Sequence, residues 1–132
     1  MNKTIAFLSI AIIAIVSLSS LNLANTTVIS SSEVAFEIPE NIDAIFNESC
    51  YGCHNSESNN MKAKMKLKLD DLTTMKKSKM ISKLSKIAKE VEKGDMPSKK
   101  FLAKYPDKAL SDEDKKALIE WAKSSAAELA GE

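Results

Sequence analysis

Cysteine and histidine are rare in this chain of 132 residues, and all of them fall within five consecutive positions. The two cysteines and the one histidine form the segment Cys50-Tyr51-Gly52-Cys53-His54. This is the C-x-x-C-H pattern in which two thiols attach to the vinyl groups of a haem and the imidazole binds its iron. On a helical turn, residues three and four apart share one face, so the three side chains can address one planar ligand. The sequence therefore predicts one haem c, attached through Cys50 and Cys53, with His54 as an axial iron ligand.

Three other interpretations of the motif fit the sequence less well. A thioredoxin-like dithiol also uses C-x-x-C, but it belongs to a βαβ context that this sequence lacks. A structural zinc site needs four ligands, and this chain offers three cysteines and histidines in total. A simple disulfide between Cys50 and Cys53 would leave the position of His54 unexplained.

The second axial ligand must be a different residue type, because the chain has no other histidine. Methionine is the natural alternative, since Met/His ligation is a standard haem arrangement that raises the reduction potential. The candidates after the N-terminal segment are Met61, Met65, Met75, Met80 and Met96. Met96 differs from the others because Pro97 biases it toward an extended loop conformation after a helix stop. We expect Met96 to bind the iron, Met80 to pack in the core, and Met61 and Met65 to fill gaps. An open or water-bound position is the alternative.

Three helices are predicted to position these residues. The first opens at Pro39, and its apolar face runs into the cysteine motif. The second has apolar residues at helical spacing from Met80 to Val91 and stops at Gly94. The last starts at Ser111, a capping residue followed by acidic side chains in the first turn. The predicted stripe of the first helix is Ile42, Ile45, Phe46, Ser49, Cys50 and Cys53, and that of the last is Leu118, Trp121, Ala122, Ser125 and Leu129. The fold class is therefore all-α.

The segments between these helices are less regular. Residues 54–60 are polar and predict a loop. From Met61 to Leu69, apolar residues alternate with lysines, and this period of two suggests an extended segment although the residue types favour a helix. On the second helix, the charged residues opposite the apolar stripe are expected to form a solvated face. They are Lys79, Lys83, Lys86, Glu90 and Lys93.

The N-terminus reads as an export signal. Lys3 precedes an apolar run from Ile5 to Val16, and small and polar residues continue to Ala24. We expect a signal peptide over residues 1–24, with an uncleaved membrane anchor as the alternative because the segment is about 20 residues long. A flexible linker over 25–38 and a haem-binding domain over 39–130 would follow. Haem is attached to C-x-x-C-H motifs after export, so an export signal agrees with the motif. A periplasmic or membrane-tethered location is expected.

The charge balance argues against a nucleic-acid partner. The chain has nineteen lysines, no arginine and eighteen acidic residues, and Lys3 lies in the signal segment. The remaining chain is therefore formally neutral, which excludes a general polyanion binder. A domain of this size buries a modest core, so a covalent apolar cofactor would complete much of its interior.

Several motifs together give a resemblance to a known family. From about Ile38 to Leu129 the chain resembles the small haem-binding domain family of exported c-type cytochromes. The resemblance rests on residues 50–54, 90–97, 105–111 and 117–122 in that order, and it implies a cytochrome c-like helical domain around one haem. It further implies Cys50 and Cys53 as thioether sites, His54 as proximal ligand and Met96 as distal ligand. Many members have a Trp- and Pro-rich segment after the haem motif, whereas Asn59 to Asp71 is lysine-rich here.

These observations predict a one-electron carrier. With two protein ligands on the iron, no coordination site is left for a substrate, so the expected chemistry is electron exchange rather than catalysis. A peroxidase-like enzyme or haem-based sensor with a labile sixth ligand is the alternative, and a structural or interaction module stabilised by haem is a third. The expected partners are redox proteins, and Lys99, Lys100 and Lys104 are candidates for steering an acidic one.

Overall fold

The computed structural model describes residues 36–132, and this part of the chain is helical without strands. Five α-helices follow one another: α1 (Glu40–Ser49), α2 (Met61–Lys66), α3 (Lys77–Glu92), α4 (Lys99–Leu102) and α5 (Asp112–Ala130). Two short 3₁₀ turns, Leu69–Asp71 and Pro106–Lys108, lie in the connections. The predicted all-α fold class is confirmed.

The two long helices pack against each other and carry most of the core. α3 contributes Leu84 and α5 contributes Leu118, and both side chains are fully buried. α1 packs on α5, where the rings of Phe46 and Trp121 meet edge to face with their centroids 5.6 Å apart. Met80 is 4% exposed, so its predicted core role is confirmed. The α3–α5 pair thus forms the centre of the core, and the shorter segments pack around it.

Local signals in the sequence account for the helix ends. Ser111 caps α5, since its hydroxyl oxygen accepts a hydrogen bond from the backbone N–H of Asp114 at 3.0 Å. α3 gives way to Gly94, whose φ of +72° is a left-handed conformation that favours glycine. This reversal releases the chain into the loop that carries Met96.

The extended structure predicted for Met61 to Leu69 is wrong. Met61–Lys66 is helix α2, and the chain becomes extended only at Leu67 before the 3₁₀ turn. The carboxamide oxygen of Asn60 accepts from the backbone N–H of Ala63 and so caps the helix. Strong helix formers and this cap override the alternating pattern, and Ala63 is the buried residue of the short helix.

The predicted export segment over residues 1–24 lies outside the described residues, as does most of the predicted linker over 25–38. Packed structure is already present before α1, where Phe36 and Ile38 lie against the core. Between residues 36 and 132, none of the helices combines the length and the hydropathy that crossing a bilayer requires.

Candidate haem site

A cavity of about 520 Å³ lies between α1, α3, α5 and the segments that follow α1 and α3. This volume is within the range of roughly 300–1,000 Å³ that is usual for cofactor and ligand sites. Its apolar wall includes Phe46, Leu67, Ile87, Val91, Pro97, Leu110 and Leu118. Cys50, His54, Met65 and Met96 also line it. The cavity thus brings together a thiol, an imidazole and two thioethers in a largely apolar surrounding.

The cysteine motif forms a tight turn at the end of α1. The backbone N–H groups of Cys53 and His54 both donate to the carbonyl of Cys50, at 3.1 and 3.0 Å. The two cysteines are unpaired, and burial, followed by the charge of Cys53, raises the pKa of Cys50 to about 12. Cys53 is half-buried but is not among the residues that line the cavity. The turn therefore brings Cys50 and His54 to the cavity lining but not Cys53.

The imidazole of His54 is oriented by a residue that sequence reasoning missed. Its Nδ1 lies 3.3 Å from the carbonyl oxygen of Leu67, and the backbone N–H of Leu69 donates to the His54 carbonyl at 2.9 Å. If Nδ1 carries the proton and donates it to Leu67, Nε2 is left as the free ligand atom. No sequence pattern pointed to Leu67, because the contact joins residues 13 positions apart.

A carboxylate outside the motif clamps the same turn. Asp70 accepts a hydrogen bond from the backbone N–H of Ser56 at 2.5 Å. Hydrogen bonds from Ser56 are the main cause that lowers the pKa of Asp70, with a smaller contribution from Tyr51. Burial, together with Asp70, raises the pKa of Tyr51. The 3₁₀ turn thus holds the haem motif on both sides of His54.

The two methionines that line the cavity differ in their surroundings. Met96 is half-buried and packs against the core, and its backbone N–H donates to the carbonyl of Glu90 at 3.2 Å. Met65 is 76% exposed and belongs to the same segment as Leu67, which contacts His54. Met61 is 60% exposed, and neither it nor Met75 nor Met80 lines the cavity. Of these two methionines, Met96 is therefore the one that packs against the core. It also belongs to a different segment from Leu67, which contacts His54.

The charged residues of α3 do not all form the solvated face that was predicted. Lys83, Lys86 and Glu90 line the cavity, as do Lys66 and Lys89, whereas Lys79 and Lys93 are exposed away from it. The prediction was wrong for Lys83 and Glu90, which are half-buried, whereas Lys86 is exposed as predicted and also borders the cavity. The cavity opens beside the apolar stripe of α3, and charged residues next to that stripe therefore reach it. Lys83 and Glu90 bracket Ile87 at helical spacing and share its side of the helix.

Comparison with known proteins supports haem binding by this chain. A sequence model of the haem-binding domain family matches residues 59–124, which is half of the chain. The chain belongs to the haem-binding domain family. No curated protein and no solved structure shows significant similarity to it. The matched residues begin after the cysteine motif, so the haem-binding assignment rests on α2 to α5 and is independent of the C-x-x-C-H pattern.

The donor set of this haem-binding domain suits a planar ligand rather than a single metal ion. Within residues 36–132, no three His, Cys, Asp or Glu side chains converge on a point where an ion could bind, although Cys50, Cys53 and His54 are neighbours in the chain. The same three residues, spread along one turn beside a 520 Å³ apolar cavity, fit a ligand of haem size. Cys50 and Cys53 would hold its vinyl edge, and His54 its iron.

Proposed function

We propose that this protein is an exported monohaem cytochrome of the c type that carries single electrons. One observation supports the proposal above all others: His54 and Met96 come from separate segments and line the same apolar cavity. A bound haem supplies one-electron exchange at its iron and conducts the electron to its edge. The role of the chain is to hold that group, to set its reduction potential and to keep water away from it.

Covalent attachment is proposed through Cys50 and Cys53. Burial raises the pKa of Cys50 and so keeps its thiol neutral, and thioether formation would replace that thiol by an apolar sulfur that suits the same surroundings. The turn that carries them is braced by Asp70 and by the contact between His54 and Leu67. This bracing would hold the imidazole in one orientation when the iron changes its charge.

Met/His ligation is proposed through His54 and Met96. A thioether sulfur stabilises the reduced iron relative to the oxidised iron, and an apolar cavity acts in the same direction because it disfavours the extra positive charge. The cavity wall around Met96 includes Val91 and Pro97. With both axial positions taken by the chain, electron transfer is favoured over ligand chemistry, and we propose that the protein is not an enzyme.

A docking surface for an acidic redox partner is proposed on α4 and the residues that directly follow it. Lys99, Lys100 and Lys104 are exposed, and α4 packs beside the attachment turn. A methyl group placed on Gly52 would lie 3.7 Å from Cε2 of Phe101, which shows how closely α4 approaches the turn. These lysines are therefore near the edge at which the haem would be attached, where electrostatic steering is effective. A periplasmic location, or tethering through residues 1–24, agrees with the expected place of haem attachment.

The axial ligand offers the most direct test of the electron-carrier proposal. Holoprotein would be prepared in a host that matures c-type cytochromes, and covalent haem would be checked by haem staining after denaturing electrophoresis. Met96→Ala should erase the sulfur-to-iron charge-transfer absorption of the ferric protein, lower the reduction potential and allow carbon monoxide to bind the reduced iron.

Met65→Leu is the matched control, because Met65 lines the same cavity and is itself exposed on α2. That variant should keep the absorption band and resist carbon monoxide as the wild type does. Loss of the band in Met65→Leu but not in Met96→Ala would assign the ligand to α2. Rapid carbon monoxide binding or peroxide turnover by the wild-type protein would support a sensor or enzyme instead.

A further inference from the structure

Four lysines line the haem cavity, and we call them the cavity lysines: Lys66, Lys83, Lys86 and Lys89. Elsewhere in residues 36–132, five lysines form ion pairs with carboxylates, namely Lys68, Lys108, Lys115, Lys116 and Lys123. Within the same range, the cavity lysines form none. Among the residues that line the cavity, four ammonium groups therefore stand against the single carboxylate of Glu90.

The cavity lysines also repel one another. Lys83 is half-buried, and its ammonium group donates a hydrogen bond to the backbone carbonyl of Lys66 at the end of α2. Burial and the neighbouring charges of Lys86 and Lys79 lower the pKa of Lys83. An ammonium group has three N–H donors, so Lys83 retains two for another acceptor. This wall of the cavity therefore has ammonium donors available for an anionic group of a ligand.

The charged residues of α3 make the electrostatic potential differ between the two ends of the cavity. Glu90 also lines it, one turn beyond Lys86, and is half-buried beside the loop of Met96. The backbone N–H of Asp95 donates to the Glu90 carbonyl at 2.9 Å, which ties that loop to the end of α3. Lys89 is next to Glu90 and offsets part of its charge, so an anionic group would be attracted most strongly at the Lys83 end, two helical turns from Glu90.

We infer that the cavity lysines, with Lys83 and Lys86 at their centre, bind the two propionate carboxylates of the haem. The inference rests on the proposed function and adds the orientation of the cofactor. A haem carries its vinyl groups and its propionates on opposite parts of the ring. Because Cys50 and Cys53 in the turn after α1 would hold the vinyl side, the propionates face walls built from other elements, which here are α2 and α3.

Two physical consequences follow from this pairing. Charge-assisted hydrogen bonds between ammonium groups and carboxylates are shorter and stronger than neutral ones, and in a partly buried site they are weakly screened. The bound carboxylates would reverse the effect of burial on Lys83 and keep it protonated. The lysines in turn would hold the propionates ionised, with the two charges of Lys83 and Lys86 balancing the two carboxylates.

The test uses holoprotein with covalent haem and compares Lys83→Gln, Lys86→Gln and the double variant with the wild type. Resonance Raman spectroscopy of the haem reports the propionate bending band, whose frequency depends on hydrogen bonds to the carboxylates. We expect that band to shift in each single variant and to shift further in the double variant. The reduction potential should fall at the same time, because a positive charge near the iron is lost.

Lys79→Gln and Lys100→Gln are the matched controls, since each removes one exposed lysine that does not line the cavity. Both should leave the propionate band in place. An unchanged band in the double variant, with normal haem staining and an intact sulfur-to-iron absorption, would overturn this inference alone. An unchanged band together with slower reduction by an acidic partner would assign Lys83 and Lys86 to partner docking instead. Absence of covalent haem in the wild type would instead refute the proposed function.

Discussion

The two fully buried leucines of the α3–α5 core provide a matched pair for testing where the haem lies. Leu84 and Leu118 are both 0% exposed, but only Leu118 lines the cavity. Replacing either by alanine removes the same atoms from a packed interior. The two variants should therefore lose similar stability and differ in their effect on the haem.

The expected loss of stability follows from burial. Leucine-to-alanine substitutions in cores cost roughly 2–5 kcal/mol, against a total of about 5–15 kcal/mol for a small domain. For a domain of this size, a loss of about 3 kcal/mol lowers the melting temperature by roughly 12–24 °C. Both Leu84→Ala and Leu118→Ala should melt in that range below the wild type.

The haem readout separates the two variants. Leu118→Ala opens space beside the proposed haem and lets water approach, which favours the oxidised iron and lowers the reduction potential. Leu84→Ala leaves the cavity wall intact and should keep the wild-type potential. Thermal unfolding followed by circular dichroism gives the stabilities, and redox titration of the Soret and visible bands gives the potentials. An equal shift of potential in both variants, or none in Leu118→Ala, would refute the assignment of this cavity to haem.

Three further predictions concern the segments that position the site. Ser111→Ala removes the hydroxyl that caps α5 and should cost about 1 kcal/mol, seen as a melting temperature lowered by roughly 4–8 °C, whereas Ser111→Asp should retain most of the stability. Gly94→Ala should cost about 1–2 kcal/mol from backbone strain alone, because φ is +72° and a Cβ would meet no atom within 4 Å. A neutral result for Gly94→Ala in urea unfolding would mean that the loop relaxes out of the left-handed conformation. Asp70→Asn should destabilise the haem turn at neutral pH: the pKa of Asp70 is lowered in the folded state, so its contribution is present above the ordinary value of 3.8 and is lost as the pH falls through the folded-state pKa. The stabilities of wild type and Asp70→Asn should therefore converge as the pH falls from 3.8 through the folded-state pKa, and a gap that widens in acid would contradict the role of Asp70.

The sequence by itself determined the residues that could do chemistry and the long helices that frame them. The C-x-x-C-H motif, the capping residue Ser111 and the stop at Gly94 are local signals, readable because they depend on neighbours within a few positions. The apolar stripes of α1, α3 and α5 are equally local, and most of their predicted residues are buried. The approach of Met96 to the same cavity as His54 was predicted from a loop methionine before a proline, and both residues line that cavity.

The tertiary structure decided what depends on contacts between distant segments. The alternation of apolar residues and lysines from Met61 to Leu69 is typical of an extended segment with one apolar and one charged face. The cap from Asn60 and the helix propensity of these residues instead produce helix α2. The carbonyl of Leu67 reaches His54 only because the chain folds back over the motif. The sequence predicted that Lys83 and Lys86 belong to a solvated face. A helical pattern separates charged from apolar positions, but it does not show which other segments lie beside the border between them. Because α3 packs against α5, the edge of its apolar stripe lies beside the cavity. Lysines next to that edge therefore belong to the candidate site.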